Sequence, residues 1–461
     1  MRCLVGLDDT DSRYGNCTTH LGFQIISDLT DNGCRFSTYP RLVRLNPNIP
    51  FKTRGNAAVC LEFDTDDEEG AFAIAERAMR RLSDVSNGAN SGLVFLDRPA
   101  PGEFRKLYTS AVSGVVSHRR VKDWLAGSSI RHVALGNGMG LVGAAASLGF
   151  SSGNDHTYEL IAYRRQSSCG RPRLVEADTV KAMELATFPH TFNSYDPGTR
   201  RVLITPHGPD PVFLGIRADS PGVALAAFRM VRFDEPLAGH VIYLTNQCTD
   251  AHLGSELEMP MKAYSSGSLI GSVSGTEKGA GGHLYLDLVV GESVVRSAIY
   301  KPSANLQRAA AMLEPGDEIR VFGGVRRATS KFPAVVNVEK IEVLSLSRVR
   351  RSVNPTCAKC GRTAKSEGSG KGFQCRKCGD KFAPSSRRVK EQTRALRPGI
   401  YLPSPGAQRH LTKPLIRYGR ETHERNPLIR GWFAVGPSES SRAPARSQRS
   451  NPPRPQYPPI L

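Results

Sequence analysis

Short apolar runs separated by polar turns recur along the chain. Leu4–Leu7, Ala57–Phe63 and Gly92–Leu96 predict strands. Between the first two, Leu21-Gly22-Phe23-Gln24-Ile25-Ile26 predicts a helix. Over 69–82, Ala71, Ile74, Ala75 and Ala78 are spaced for one helix face. A further helix is expected after the Gly-rich stretch 136–140. Val202–Thr205 and Val241–Leu244 are β-branched runs flanking a helix-like Gly222–Val231. This order of elements predicts a multidomain α+β chain.

Residues 262–347 carry the clearest fold signal. Strands are predicted over Ser268–Ser274, His283–Val290, Ser293–Tyr300, Glu318–Val325 and Ala334–Leu344, with an amphipathic helix, Asn305–Leu313, between the third and fourth. Pro315-Gly316-Asp317 is a turn. Three strands, a helix and two strands is the order of an OB-fold β-barrel, which commonly binds oligonucleotides. Another small barrel with no nucleic-acid role fits the same order. From Gly436 onward the Ser/Pro/Arg-rich sequence cannot bury enough apolar surface to fold and predicts disorder. The expected units are 1–195, an α/β domain; 196–258, a small α/β domain; 259–347, the OB-fold domain; 348–388, a cysteine-bearing ribbon; 389–435, a basic C-terminal segment; and 436–461, a tail.

The charge distribution sharpens this division. Residues 348–461 hold 25 Lys and Arg against 6 Asp and Glu, whereas residues 1–347 hold 37 of each sign. A neutral body with a basic end predicts a catalytic part joined to a polyanion-binding part. The alternative is a solubilising tail. No apolar run approaches the ~20 residues needed to span a bilayer, and the start of the chain shows no signal-peptide pattern. Six of the ten cysteines are scattered and four form two tight pairs, which favours a reducing cytoplasm and one metal site over a disulfide framework. Those pairs are Cys357-x2-Cys360 and Cys375-x2-Cys378. Four thiolates at this spacing suit structural Zn²⁺, with no coordination position left open. Lys359, Arg362, Lys365, Lys371, Arg376 and Lys377 decorate the ribbon as phosphate contacts would. Phe373 is a base-stacking candidate or a ribbon-core aromatic.

The first strand ends in Asp8-Asp9-Thr10-Asp11, three carboxylates in four positions, followed by a Gly15-Asn16 turn and by Thr18-Thr19. Crowded carboxylates raise each other's pKa, and a hard cation such as Mg²⁺ relieves that cost through oxygen ligands. A strand end holding Mg²⁺ beside a helix start that receives phosphate is one reading. An Asp-rich turn with a Thr cap is the other. Arg41, Arg44, Lys52 and Arg54 place four cations in 14 residues, as stabilisation of a moving phosphoryl group needs. Solvated surface charge is the alternative. No Walker-type Gly-x4-Gly-Lys-Ser/Thr is present, which excludes a P-loop kinase. Gly136-Asn-Gly138-Met-Gly140 forms a turn opening a helix, where backbone N–H groups can approach a phosphate. His190, Asp196, His207 and Arg217 are further candidates.

These residues also carry a resemblance. "VGLDDTDS", "GNCTTHLG", "PRLVRLNPNIPFKTRGNAAV", "GNGMGLVGAAASLG", "ELIAYR", "FPHTF", "PHGPDPVFLGIR", "TNQCTDAHL", the two cysteine knuckles and "RHLTKPLIR" follow in order over residues 1–425. They resemble the archaeal synthetases that attach agmatine to the wobble cytidine of the AUA-decoding isoleucine tRNA, the tRNA-cytidine agmatine ligase family. Met139 departs from the basic residue expected there, and Cys248 from a glycine.

The resemblance implies a kinase-like domain over 1–195, a ferredoxin-like domain over 196–258, and a cytoplasmic ATP-dependent ligase. ATP would activate the cytidine C2 oxygen, and agmatine would displace the phosphate to give 2-agmatinylcytidine. The family's autophosphorylated threonine matches Thr18. Asp8, Asp9 and Asp11 would hold Mg²⁺. Thr10, Thr19, Lys52, Arg54, Asn56, Gly138, Gly140 and Arg217 would surround ATP. Asp196 is the candidate for agmatine's guanidinium. Lys371, Arg376, Lys377 and Lys413 are candidates for tRNA, with Arg409, His410 and Arg417 beside Lys413 at the acceptor end. Zn²⁺ would sit on the four paired cysteines. Two other classes remain: a non-catalytic tRNA- or single-strand-binding protein built on barrel and ribbon, and a metal-dependent phosphohydrolase.

Overall fold

A computed structural model describes residues 1–437 apart from 13, 54, 152, 154 and 331. Arg54, and the tail from residue 438, lie outside the described residues. The first body contains β1 (Arg2–Asp8), α1 (Thr18–Asp31), β2 (Arg41–Arg44), β3 (Ala57–Asp64), α2 (Glu68–Leu82), β4 (Gly92–Leu96), α3 (Gly102–Ser113), α4 (His118–Ala126), β5 (Arg131–Ala134), α5 (Gly140–Leu148) and β6 (Thr157–Arg164). It continues with α6 (Ala177–Thr187), the short pair β7 (Tyr195–Asp196) and β8 (Arg201–Val202), β9 (Val212–Ala218), α7 (Pro221–Met230) and β10 (Leu237–Thr245). The run Val202–Thr205 is strand only as far as Val202. Pro206 follows closely, and proline cannot donate to a ladder.

One sheet runs β5-β4-β1-β3-β2-β10-β6-β9. It does not break at residue 195, because β6 pairs antiparallel with both β9 and β10. All eight residues of β6 are buried. The period-2 alternation sends Leu160 and Ala162 into the core under α6 and α7, and Ile161 and Tyr163 into the core with α1 and α2. Helix α5, built almost wholly of Gly, Ala, Leu and Ser, presses backbone-close on β1. A Cβ on Gly6 would stand 2.1 Å from the Ala144 carbonyl oxygen.

This topology gathers eight strand ends on one edge of the sheet. Strands β1, β2, β5, β9 and β10 run towards it, and β3, β4 and β6 start from it.

The second body contains β11 (Ser266–Lys278), β12 (Leu284–Val290), β13 (Ser293–Ile299), α8 (Ala304–Ala310), β14 (Glu318–Arg326) and β15 (Val335–Ser345). Its path is β13-β12-β11-β14-β15, and a parallel pairing joins β13 to β15. Beyond it come β16 (Arg350–Val353), β17 (Lys365–Ser366), β18 (Phe373–Gln374), β19 (Lys381–Phe382), β20 (Arg388–Glu391), β21 (Gly399–Tyr401) and β22 (Phe433–Val435). Strands β17-β18-β19 form the small cysteine-bearing sheet, and β16 pairs with β20.

The segment expected as a basic C-terminal surface returns to the first body. β21 extends the second sheet on β15, residues 402–432 cross the first body, and β22 pairs with β10.

Candidate active site

Two cavities lie against the gathered sheet edge. The larger, about 300 Å³, is lined by Asp8, Asp9, Lys52, Thr53, Asn56 and Met139, with apolar walls from Leu45, Ile49, Val115, Val116 and Val142. The smaller, about 210 Å³, is lined by Asp11, Thr18, Thr19, Arg44, Glu159, Asp210, Arg217 and His410. The aspartate loop therefore serves both, with Asp8 and Asp9 on one side and Asp11 on the other.

Local sequence explains the loop. β1 is buried from Cys3 to Leu7, and Asp8 is the first polar residue at its end. Asp9 has φ +56, a left-handed conformation tolerated best by Gly, Asn and Asp. Helix α1 opens at Cys17 without a cap from its own side chain. Asp11 supplies one instead, its Oδ1 accepting from the Thr18 amide at 3.1 Å. Thr10 donates to Thr18 Oγ1 from its amide at 3.4 Å and lies 3.2 Å from it through its hydroxyl. These contacts hold the Thr18 hydroxyl against the acidic loop. The Thr19 hydroxyl turns towards Cys17 Sγ, at 3.1 Å.

Burial pushes the Asp8 carboxyl well above its usual range, and the neighbouring charge of Asp9 adds to this. Burial and Asp11 push Asp9 up to about 6. Asp9 Oδ1 is buried with no hydrogen-bond partner among the described residues. An oxygen cluster with raised affinity for positive charge and an orphaned buried oxygen suits a hard divalent cation.

The opposite wall is cationic. Arg217 Nε lies 3.4 Å from Glu159 Oε1, and Arg44 Nη2 lies 4.0 Å from Glu159 Oε2. Gln247, just beyond β10, donates to the same carboxylate. One glutamate thus holds two arginines, leaving net positive charge facing the acidic loop. Burial lowers the pKa of Arg44, while Glu159 supports its charged form. Lys52 is lowered by burial and then by Arg409. Of the four expected cations, Arg41 sits elsewhere, paired with Glu62 and donating to the Phe150 carbonyl.

Other expected site residues are placed differently. The Asp196 carboxylate accepts from the amides of Gly198 (2.9 Å), Thr199 (3.4 Å) and Gly406 (3.4 Å), and lines neither cavity. Asp11, Glu159 and Asp210 are the carboxylates of the smaller cavity. Lys413 is buried 3.1 Å from both Asp155 and Glu421. Arg417 is fully buried on Asp155, Asp219 and the Cys248 carbonyl. His190 and His207 bond Arg420 and Arg201. The Gly140 amide donates to the Asn90 carbonyl at 2.8 Å, while Gly138, at φ +72, makes the preceding turn. Asn56 lines the larger cavity and donates to the Asn46 carbonyl at 2.8 Å.

In the ribbon, Cys357, Cys360, Cys375 and Cys378 hold their sulfurs within 4.8 Å of one another, the arrangement four-thiolate Zn²⁺ requires. Lys371, Arg376 and Lys377 are exposed, whereas Phe373 is buried in the ribbon core. Cys375→Ser is expected to lose one equivalent of zinc, read by metal analysis. A closed site of this kind offers no open ligand position to chemistry.

Three family models match the chain: the TiaS TCKD domain over residues 4–137, the TiaS FLD domain over 138–252, and the TiaS C-terminal zinc ribbon domain over 354–396. TiaS from Cenarchaeum symbiosum (strain A), a 2-agmatinylcytidine synthetase of isoleucine tRNA 2, is 42% identical over 438 residues, covering 94% of this chain and 97% of its own length. The chain belongs to the TiaS family. Among solved TiaS structures, a complex with isoleucine tRNA 2 and ATP matches at 32% identity and a TM-score of 0.80, covering 90% of this chain and 97% of that one. A complex with the same tRNA, AMPCPP and agmatine matches at 30% identity and a TM-score of 0.78, with the same coverage. The multidomain α+β architecture and the zinc ribbon are those of TiaS.

Sequence reasoning missed Glu159 and Asp210 and assigned His410 to tRNA. Both carboxylates lie inside or beside boxes of the resemblance, "ELIAYR" and "PHGPDPVFLGIR". The polar position of Glu159 in an otherwise apolar strand was the available signal; Asp210, between two prolines, gave none.

Proposed function

We propose that this protein is an ATP-dependent ligase that joins agmatine to C2 of the wobble cytidine of the AUA-decoding isoleucine tRNA. The observation that carries the reading is the aspartate loop shared by two cavities. A nucleotide in the larger cavity would present its phosphates at Asp8, Asp9 and a Mg²⁺ held there. An acceptor in the smaller cavity would meet the phosphoryl group between Thr18 and the Arg44–Arg217 wall. A carbonyl oxygen is a poor leaving group under attack by an amine. Phosphorylating the C2 oxygen supplies a displaceable group: the agmatine nitrogen bonds to C2, the C2–O bond breaks, and phosphate leaves.

The chain's own residues divide the work. Asp8, Asp9 and Asp11 would hold the cation, which would supply charge neutralisation at the phosphates. Lys52, Asn56 and Thr53 line the nucleotide side. Thr18 is the internal acceptor, and Arg44 and Arg217 stabilise the charge that develops in transfer. Asp210 and Glu159 offer carboxylates to a guanidinium or amine.

The N-terminal strands with α1 to α5 act as the kinase-like part, and β6, β9 and β10 with α6 and α7 as the ferredoxin-like part. The pairing order of β11 to β15 supports an OB-fold barrel. A purely binding role leaves the charged cavities without a purpose.

Incubation with the tRNA, ATP and labelled agmatine tests the reading. Label should enter the tRNA only when ATP is present. Phosphate release without incorporation would instead indicate a phosphohydrolase. Ribbon and barrel would grip the tRNA. Replacing Lys371, Arg376 and Lys377 together with Ala should weaken tRNA binding and flatten the log–log salt dependence by about 2, as loss of three phosphate contacts predicts. Filter binding at several salt concentrations checks this.

A further inference from the structure

His410 enters the smaller cavity from the segment that follows the ribbon, 193 residues after Arg217, whose Nη2 donates to its Nδ1 at 2.9 Å. An arginine only donates, so this Nδ1 is the unprotonated nitrogen, and the proton of a neutral ring sits on Nε2. That nitrogen makes no hydrogen bond among the described residues. It faces Gly55, where an added Cβ would stand 3.1 Å away. The ring's position is fixed from behind. The His410 carbonyl accepts from the Cys248 amide, and the Leu411 carbonyl accepts from the Asp250 amide, each at 2.8 Å.

We propose that His410 is a catalytic residue of the phosphoryl-transfer step, its Nε2–H bonding a non-bridging oxygen of the phosphoryl group as it passes between ATP and its acceptor. This rests on the phosphoryl-transfer reading given above. No bond to the imidazole forms and no proton leaves it. Arg44 and Arg217 supply charge, and His410 supplies a directed donor. The surroundings keep that donor in one state. Arg44 of β2 lowers its pKa most, followed by burial, Arg217 of β9 and Lys52 of the loop before β3. Glu159 of β6, Asp210 before β9 and Asp11 beside α1 are the carboxylates facing the same cavity. The neighbouring cations and burial thus favour the neutral ring, in keeping with the Nδ1 acceptor geometry.

Gln and Asn variants of the full-length protein test this. The amide nitrogen of Gln reaches the position of imidazole Nε2, whereas that of Asn stops near Nδ1. With tRNA, ATP and labelled agmatine, His410→Asn should lower kcat about 100-fold, the usual cost of one transition-state donor. KM for ATP should stay within about threefold, because the interaction belongs to the transition state. His410→Gln should recover at least about tenfold of the loss, and its pH–rate profile should keep the wild-type shape. Equal losses in both variants, a wild-type rate in Asn, or an effect confined to KM would overturn the proposal. An inactive wild type would instead remove the proposed function, and this inference with it.

Discussion

Asp9→Asn is expected to lower phosphoryl transfer to Thr18 by about 1,000-fold and to abolish agmatine conjugation. Asn keeps the size of Asp and removes one negative ligand. The Asp9 oxygen at stake is buried without a hydrogen-bond partner among the described residues, so the variant should leave the local packing intact while the proposed cation loses affinity. A bound Mg²⁺ is worth several kcal/mol of transition-state stabilisation, and each ~1.4 kcal/mol is tenfold in rate. Mass spectrometry after incubation with MgATP reads the outcome on Thr18 and Thr19 separately. Undiminished phosphate on Thr18 would remove Asp9 from the metal site. Phosphate on Thr19 instead would reassign the acceptor, against the hydroxyl geometry described above.

The same substitution should stabilise the protein in EDTA. The folded-state pKa of Asp9, about 6, lies above the ordinary 3.8, because burial and Asp11 disfavour its ionised form. A raised carboxyl pKa means that ionisation opposes folding. The contribution of this group is intact below pH 3.8 and is lost as the pH rises through 6. Metal-free wild type should therefore have a lower Tm than Asp9→Asn at pH 7. The gap should close near pH 4 and shrink on adding MgATP to the wild type. Equal Tm values at pH 7 would show that the loop stores no such electrostatic cost.

What could be read from the sequence was what is local in it. The two cysteine knuckles act through near neighbours, so spacing alone located them; the three aspartates and adjacent threonines stood out by their crowding, and the resemblance supplied the role of Thr18. The five strands and helix between Ser266 and Ser345 were legible because each carries its apolar pattern within its own window. The cationic wall was less so. Arg44, Glu159, Arg217 and His410 come from four separated segments and meet only because β2, β6 and β9 bring their ends to one sheet edge. Charge counting misled at the C-terminal segment. Lys413 and Arg417 add to its positive total, yet they are buried on Asp155, Asp219 and Glu421. Those carboxylates lie in the body or in the segment itself, and composition cannot reveal such pairing. Asp196 likewise looked like a ligand, whereas its oxygens cap backbone amides.

The Gly-rich helix start offers the second large effect. Gly143→Ala is expected to cut Thr18 phosphorylation at least about 100-fold while the fold is retained, because α5 lies against Asp8. A Cβ on Gly143 would stand 1.8 Å from Asp8 Oδ2 and 2.6 Å from its Cγ, so one of the two must move. The helix cannot retreat freely. Its first amide, on Gly140, bonds the Asn90 carbonyl at 2.8 Å, and its backbone abuts Gly6 and Gly92. Asp8 is the softer element, and its displacement would take a proposed cation ligand out of position. An angstrom-scale misplacement is enough to cost about 100-fold in rate. Alanine is the better helix former by about 0.5–1 kcal/mol, which offsets part of the strain in the stability measurement. Gly222→Ala in α7 supplies the control, since nothing among the described residues lies within 4 Å of its added methyl. It should leave phosphorylation unchanged and Tm equal or slightly raised. If Gly143→Ala phosphorylates Thr18 at the wild-type rate, the close approach of α5 is not what holds Asp8. The glycines of this helix would then have to be explained by contact with a phosphate instead.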